Sequence, residues 1–174
     1  MNLFFRHRLR AFVVILTSTI LFSFQCEEEN YFDSEQLAVE NALNDLVVGL
    51  ERDFPADVVG LKLRLQEYLE KAPSYFYGAT IAVLNAEGTV VNSPYYYRIS
   101  QIELGFTDGL MSAAYEIDKQ PWLRGAIDSG SAVWSDPYFD EGGGNIWMQT
   151  LSVPVFAEGK IIAVATTDLA VDAP

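Results

Sequence analysis

The apolar periodicity of this chain changes once, at Pro73, and that change sets its fold class. Before it, Leu37, Val39, Leu43, Leu46, Val47 and Leu50 recur at helical spacing, and after Pro55 so do Leu61, Leu65, Tyr68 and Leu69. The first run opens with Asp33 as an N-cap and Gln36 three residues on, a capping-box arrangement. The spacing leaves open one long kinked helix or two packed ones. Beyond Pro73 the pattern is that of strands. Residues 79–84 read as a strand, residues 85–88 as a turn and residues 89–92 as the return strand. A Tyr95-Tyr96-Tyr97 patch and a polar connection follow. Residues 121–127 read as a short helix, with Pro121 in its first turn and Gly130 just past its end. Residues 132–138, 145–155 and 160–169 are the remaining strand candidates, set apart by Gly142-Gly143-Gly144 and Glu158-Gly159. A long helical start, then an antiparallel sheet interrupted by a short helical insert, predicts an α+β fold.

The first 25 residues stand outside that pattern. Arg6, Arg8 and Arg10 precede an apolar run over residues 11–24, the layout of a secretory signal. The run is shorter than the roughly 20 apolar residues a membrane-spanning helix needs. The expected organisation is a signal peptide over 1–25, an acidic tether over 26–32 and a single domain over 33–174. Cys26, the only cysteine, follows the apolar run directly, where bacterial lipoproteins are acylated. Acylation there would tether the protein to a membrane surface. Removing the segment's three arginines from the 11 basic residues leaves eight against 24 acidic ones. Such a balance excludes nucleic acid, which selects basic surfaces, and peripheral binding to anionic lipid. The expected location is therefore the periplasm or cell envelope, with the membrane reached only through a lipid or the signal segment.

Absent residues narrow the chemistry further. The one histidine, His7, lies in the signal segment, so the domain has none. A Ser-His-Asp or Cys-His arrangement and an imidazole- or thiolate-based metal site are excluded. Gly142-Gly143-Gly144 lacks the lysine and helix start of a phosphate-binding loop. Asp136, Asp140, Glu141 and Asn145 offer oxygen ligands, but not at the spacing of a calcium loop. The expectation is a protein with no catalytic residues, cofactor or metal. What remains is aromatic: Tyr115, Trp122, Trp134, Tyr138, Phe139 and Trp147 gather in the second half. Such side chains wall small-molecule pockets and also fill cores.

Their order carries more than their number. Tyr115…Asp118…Pro121-Trp122 comes first, then Trp134-Ser135-Asp136-Pro137-Tyr138-Phe139-Asp140. Met148-Gln149-Thr150 leading to Pro154 follows, and last Gly159-Lys160 leading through Val164 to Asp168-Leu169. Over residues 79–171 this succession resembles the Cache family of PAS-like extracytoplasmic sensors, and within it the membrane-distal module of double-Cache receptors. Those modules show a tryptophan heading a short helix, a W-x-x-P-Y-x-D hairpin, an M-x-T-x-x-x-P strand and a G-K-x-x-x-V-x-x-x-D-L final strand. The resemblance implies a ligand pocket between the sheet and the helical insert. By it, Trp122 takes the place of the insert tryptophan, Tyr138 of the hairpin tyrosine and Asp168 of the aspartate that holds a ligand's ammonium group, with Tyr115 beside them. Gln120 stands where amino-acid-binding members carry the arginine that clamps the ligand carboxylate, and Leu123 where they carry a tyrosine. Without a guanidinium there is no bidentate carboxylate clamp. Asp168 is then left to pair with an amine- or hydroxyl-bearing ligand.

Cache modules normally precede a membrane helix and an output domain, and residue 174 follows the last strand closely. The expected function is thus a small-ligand sensor without its own output, signalling to a separate membrane receptor or kinase. A structural or protein-interaction envelope lipoprotein that keeps the fold without a pocket is the alternative. Two inward carboxylates facing one another would instead suit a carboxylate hydrolase.

Overall fold

The computed structural model describes residues 34–173, so the signal segment, the tether with Cys26, and Asp33 lie outside the described residues. The chain divides into two compact units, Met1–Ala38 and Val39–Pro174. Of the first, residues 34–38 are described and are helical. In the second, residues 39–52 form helix α1, and Val58–Lys71 form helix α2. They are two helices, because residues 53–57 break the run around Pro55, which has no amide hydrogen to continue it. Asp57 caps α2, accepting from Gly60 N at 2.8 Å. The helix ends at Ala72, extended at φ −76° and ψ 153°, as the residue before a proline must be. Its end is held by Arg98, whose guanidinium donates to Leu69 O and Ala72 O at 2.6 and 3.0 Å and to Phe76 O, just beyond the helix, at 2.9 Å. A cation there also complements the helix dipole.

The sheet runs β1 (Phe76–Leu84), β2 (Val90–Asn92), β3 (Tyr95–Arg98), β4 (Leu104–Thr107), β5 (Val133–Trp134), β6 (Tyr138–Phe139), β7 (Trp147–Ala157) and β8 (Lys160–Ala170). Helix α3 (Pro121–Ser129) lies between β4 and β5 in the chain. Every pairing is antiparallel, in the order β4-β3-β1-β8-β7-β5, with β2 also on β1 and β6 also on β7. This is the α+β architecture expected, in PAS-like order. It departs from expectation in two places. The Tyr95 patch and part of the polar connection are strands β3 and β4, followed by two single 3-10 turns, Gly109–Met111 and Ile117–Lys119. The single strand expected over 132–138 is instead β5 and β6, interrupted before Pro137, which cannot donate to a ladder.

The long strands are buried on both faces, so alternation sorts their residues between two layers. On β8, Thr167 faces the helices, its Oγ1 2.7 Å from Tyr68 Oη of α2. Val164, Thr166 and Asp168 point the other way, toward α3. That second layer is closed by Trp122, Leu123 and Ala126 of α3, packed with Leu110, Tyr115 and Ile117 from the preceding turns. Near its start β1 carries an irregularity: Phe76 pairs with Leu169 and Gly78 with Asp168, so two residues of β1 stand opposite one step of β8. Phe76 thereby meets Tyr68 on the helix side at 6.2 Å between rings, while the Tyr77 ring lies 6.3 Å from that of Tyr97.

A buried two-carboxylate site between α3 and the sheet

Asp168 is 4% exposed and points from β8 toward α3. Thr150 of the adjacent β7, its direct partner in register, donates to Oδ1 at 2.7 Å. Tyr138 Oη lies 2.8 Å from the same threonine hydroxyl. Oδ2 accepts from Tyr95 Oη at 2.9 Å. That last bond is unusual in topology, since Tyr95 is on β3 and β1 runs between β3 and β8. The phenol reaches across because the residue in its way is Gly78. A Cβ there would sit 2.2 Å from Tyr95 Oη and 2.9 Å from Asp168 Oδ2. Glycine within a strand thus marks a close approach.

A second carboxylate enters the same hollow from the opposite wall. Asp140, 5% exposed, follows β6 and turns inward. Tyr115 Oη donates to its Oδ1 at 2.7 Å, and Trp122 Nε1 donates to Tyr115 Oη at 3.2 Å. Its Oδ2 accepts from Gly144 N at 2.7 Å, folding the glycine turn back over the acid. A Cβ on Gly143 would lie 2.0 Å from that oxygen, so the turn needs its glycine. The structure therefore brings together Tyr115, Trp122, Tyr138 and Asp168, and adds Tyr95, Thr80, Thr166 and Asp140 around the same space. Gln120 is not among them: its amide donates to Tyr115 O at 2.6 Å, and it lines the outer surface instead. The sequence pattern did not single out Tyr95. In the sequence Asp140 reads as an oxygen ligand at a hairpin tip and as the last residue of the W-x-x-P-Y-x-D motif, with nothing to mark it as buried.

Among the described residues nothing cationic lines this hollow. Lys119 pairs with Glu116 at 2.5 Å and Arg124 with Asp128, both on the surface. Burial pushes the Asp168 carboxyl up to about 7, against the hydrogen bonds from Thr150 and Tyr95, and the Asp140 charge adds to the rise. Burial, reinforced by the two carboxylates, raises the Tyr95, Tyr115 and Tyr138 phenols, which stay neutral donors. The free volume is about 10 Å³, room for about one water and far below a ligand-sized pocket. Two larger clefts flank it. One of about 270 Å³ shares the Trp122 and Tyr138 walls, and one of about 510 Å³ shares Tyr115 and Asp140.

The other aromatic residues of the second half lie elsewhere. Trp134 faces the helices, donating from Nε1 to Glu40 of α1 at 3.0 Å. Phe139 and Trp147 form an edge-on pair at 6.1 Å, with Phe139 exposed. Asn145 spends its side chain on Gly142 N at 2.9 Å. Among the described residues no group of three acidic, histidine or cysteine side chains converges as a metal site, and no helix is long and apolar enough to cross a membrane.

Comparison with solved structures finds this fold in extracellular and ligand-binding domains. An extracellular domain assigned to a histidine kinase, soHK1S-Z6, is 28% identical with a TM-score of 0.64, covering 80% of this chain and 54% of that one. The ligand-binding domain of the Pseudomonas aeruginosa amino acid chemoreceptor PctB, in complex with L-Arg, is 22% identical with a TM-score of 0.52 over 81% of this chain and 50% of that one. The ligand-binding domain of Campylobacter jejuni chemoreceptor Tlp3, in complex with 4-methylisoleucine, is 14% identical with a TM-score of 0.62 over 98% and 63%. The chain thus spans between half and two thirds of the length of these domains. No curated protein matches it. The family model for the first PDC sensor domain of methyl-accepting chemotaxis protein-like receptors matches residues 61–173. On that match, and on the fold that carries it, the chain belongs to the Cache-type sensor domains of the methyl-accepting chemotaxis protein-like, first PDC family.

Proposed function

We propose that this domain is an extracytoplasmic sensor that binds a small organic amine between α3 and the sheet and reports its occupancy to a membrane receptor or kinase. One observation carries this: two buried carboxylates, Asp140 and Asp168, meet in a space walled by Trp122 and three tyrosines, with no lysine or arginine among the described residues that line it. Uncompensated buried carboxylates are unfavourable, and a bound cation relieves them. Aromatic faces favour the same guest through their quadrupoles. An acid clamp is missing where a ligand carboxylate would need one, since Gln120 is turned outward to Tyr115 O. The ligand is therefore an amine without a carboxylate beside it.

The same two acids do not form a hydrolytic pair. The hollow between them, about 10 Å³, has no room for a scissile bond and an attacking water together. The small hollow does favour a second reading, a domain that has kept the fold without a ligand. A thermal-shift series of primary amines separates the two. At a hundredfold excess over Kd a bound amine should stabilise the domain by about 2.7 kcal/mol. Carboxylic acids of matching size should give no shift. No shift from any amine would favour the ligand-free envelope role.

Export by the N-terminal segment and anchoring through Cys26 complete the proposal. Growth with an alkyne-bearing fatty acid should label the wild-type chain and leave the Cys26→Ser chain unlabelled. Equal labelling of both would overturn the anchor.

A further inference from the structure

The hollow between the carboxylates can hold an ammonium group but nothing more, because its free volume is about 10 Å³. The rest of any amine must therefore lie in one of the flanking clefts. The cleft of about 270 Å³ shares two of its walls, Trp122 and Tyr138, with the hollow that Asp168 lines. Its remaining walls are Pro121, Val133 and Pro137, with Ser135 and the exposed Asp136 at its rim. Tyr138 is half-buried on the two-residue strand β6 and borders both cleft and hollow. The other cleft, beyond Tyr115 and Asp140, is lined by Glu116 and Glu141 and offers an apolar group little.

Resting on the amine site above, we infer that the Pro121–Val133–Pro137 cleft seats an apolar tail. The preferred ligand is then a monoamine bearing a branched alkyl or aryl group, its ammonium at the two carboxylates and its tail against the far faces of Trp122 and Tyr138. Val133 and Pro137 become specificity residues, since they contact the tail and no part of the ammonium. Each methylene buried in such a cleft is worth about fourfold in affinity.

The test is calorimetric titration of the full chain with ethylamine, isopentylamine and 1,4-diaminobutane. Isopentylamine should bind about sixtyfold more tightly than ethylamine, from three more buried carbons at about fourfold each. Val133→Ser should shrink that ratio several-fold, and the wild-type series stands alone should the variant fold poorly. A ratio near one, with ethylamine bound, would overturn the apolar cleft and leave the amine site standing. Tighter binding of 1,4-diaminobutane than of isopentylamine would also overturn it, placing the tail against Asp136 or the acidic cleft. If none of the three binds, the amine site itself falls, and the tail cleft with it.

Discussion

Replacing Asp168 with asparagine should lower amine affinity by about a hundredfold or more and, at pH 8, make the unliganded domain more stable. The loss follows from removing a charge-assisted hydrogen bond of about 1.5–3 kcal/mol together with its coulombic attraction. The gain follows from the position of the carboxyl. Its pKa lies near 7 in the folded domain, against 3.8 for the unburied group. The folded state thus holds the proton more tightly than the unfolded one. Below pH 3.8 both forms are protonated and the acid exerts no penalty; as pH rises through 7 the penalty grows to about 4 kcal/mol. Asparagine can satisfy the same neighbours, accepting from Tyr95 while Thr150 turns its hydroxyl toward Tyr138. Denaturant titrations from pH 4 to 8 should show the wild-type stability falling relative to the variant across that window. Amine affinity should in turn rise by up to tenfold per pH unit from 5 to 7, because a proton competes with the ammonium for Asp168. Parallel stability curves, or an affinity flat across pH 5 to 7, would remove Asp168 from the ligand's contacts.

A single methyl group should do nearly as much damage at Gly78. The added Cβ of Gly78→Ala would fall 2.2 Å from Tyr95 Oη. A phenol on the surface could swing away, but Tyr95 is 2% exposed and stacked against Tyr97 at 5.9 Å. Either β1 or β3 must shift, at about 1–3 kcal/mol for overpacking. The displaced hydroxyl also leaves Asp168 Oδ2 without its donor. We expect a fall in unfolding free energy of about 3 kcal/mol together with loss of amine binding. Gly78→Ala combined with Tyr95→Phe should recover part of the stability and none of the affinity. An alanine variant that melts and binds like the wild type would mean that Tyr95 does not cross the strand.

What the sequence disclosed was whatever repeats or whatever sits within a run. The every-fourth-residue burial of Leu61, Leu65 and Leu69 and the long strands β7 and β8 were legible because periodicity extends over many residues. Strands β3 and β4 were not. Each has only four residues, and Tyr95-Tyr96-Tyr97-Arg98 mixes phenols with a cation whose function is to hold the end of α2. Asp168, Trp122 and Tyr138, which border one space, stand out in the sequence through the order of motifs around them. Asp140 was harder, because an acid beside three glycines is ordinarily a solvated hairpin tip, and only the hydrogen bonds from Tyr115 and Gly144 N turn it inward. Tyr95 had one available signal: a glycine two residues into an otherwise bulky strand announces that something passes over it.

The extra residue near the start of β1 works as a parity switch for everything upstream of it. With Tyr77 present, Phe76 is addressed to the helical layer and Gly78 to the ligand layer. Were the ladder regular there with Tyr77 kept, Tyr77 would stand opposite Leu169 and the phenylalanine ring would turn among the carboxylates, leaving Tyr68 with a hole to face. Both the packing of α2 and the passage for Tyr95 thus depend on the one extra residue being absorbed at that point of β1 rather than carried along the strand.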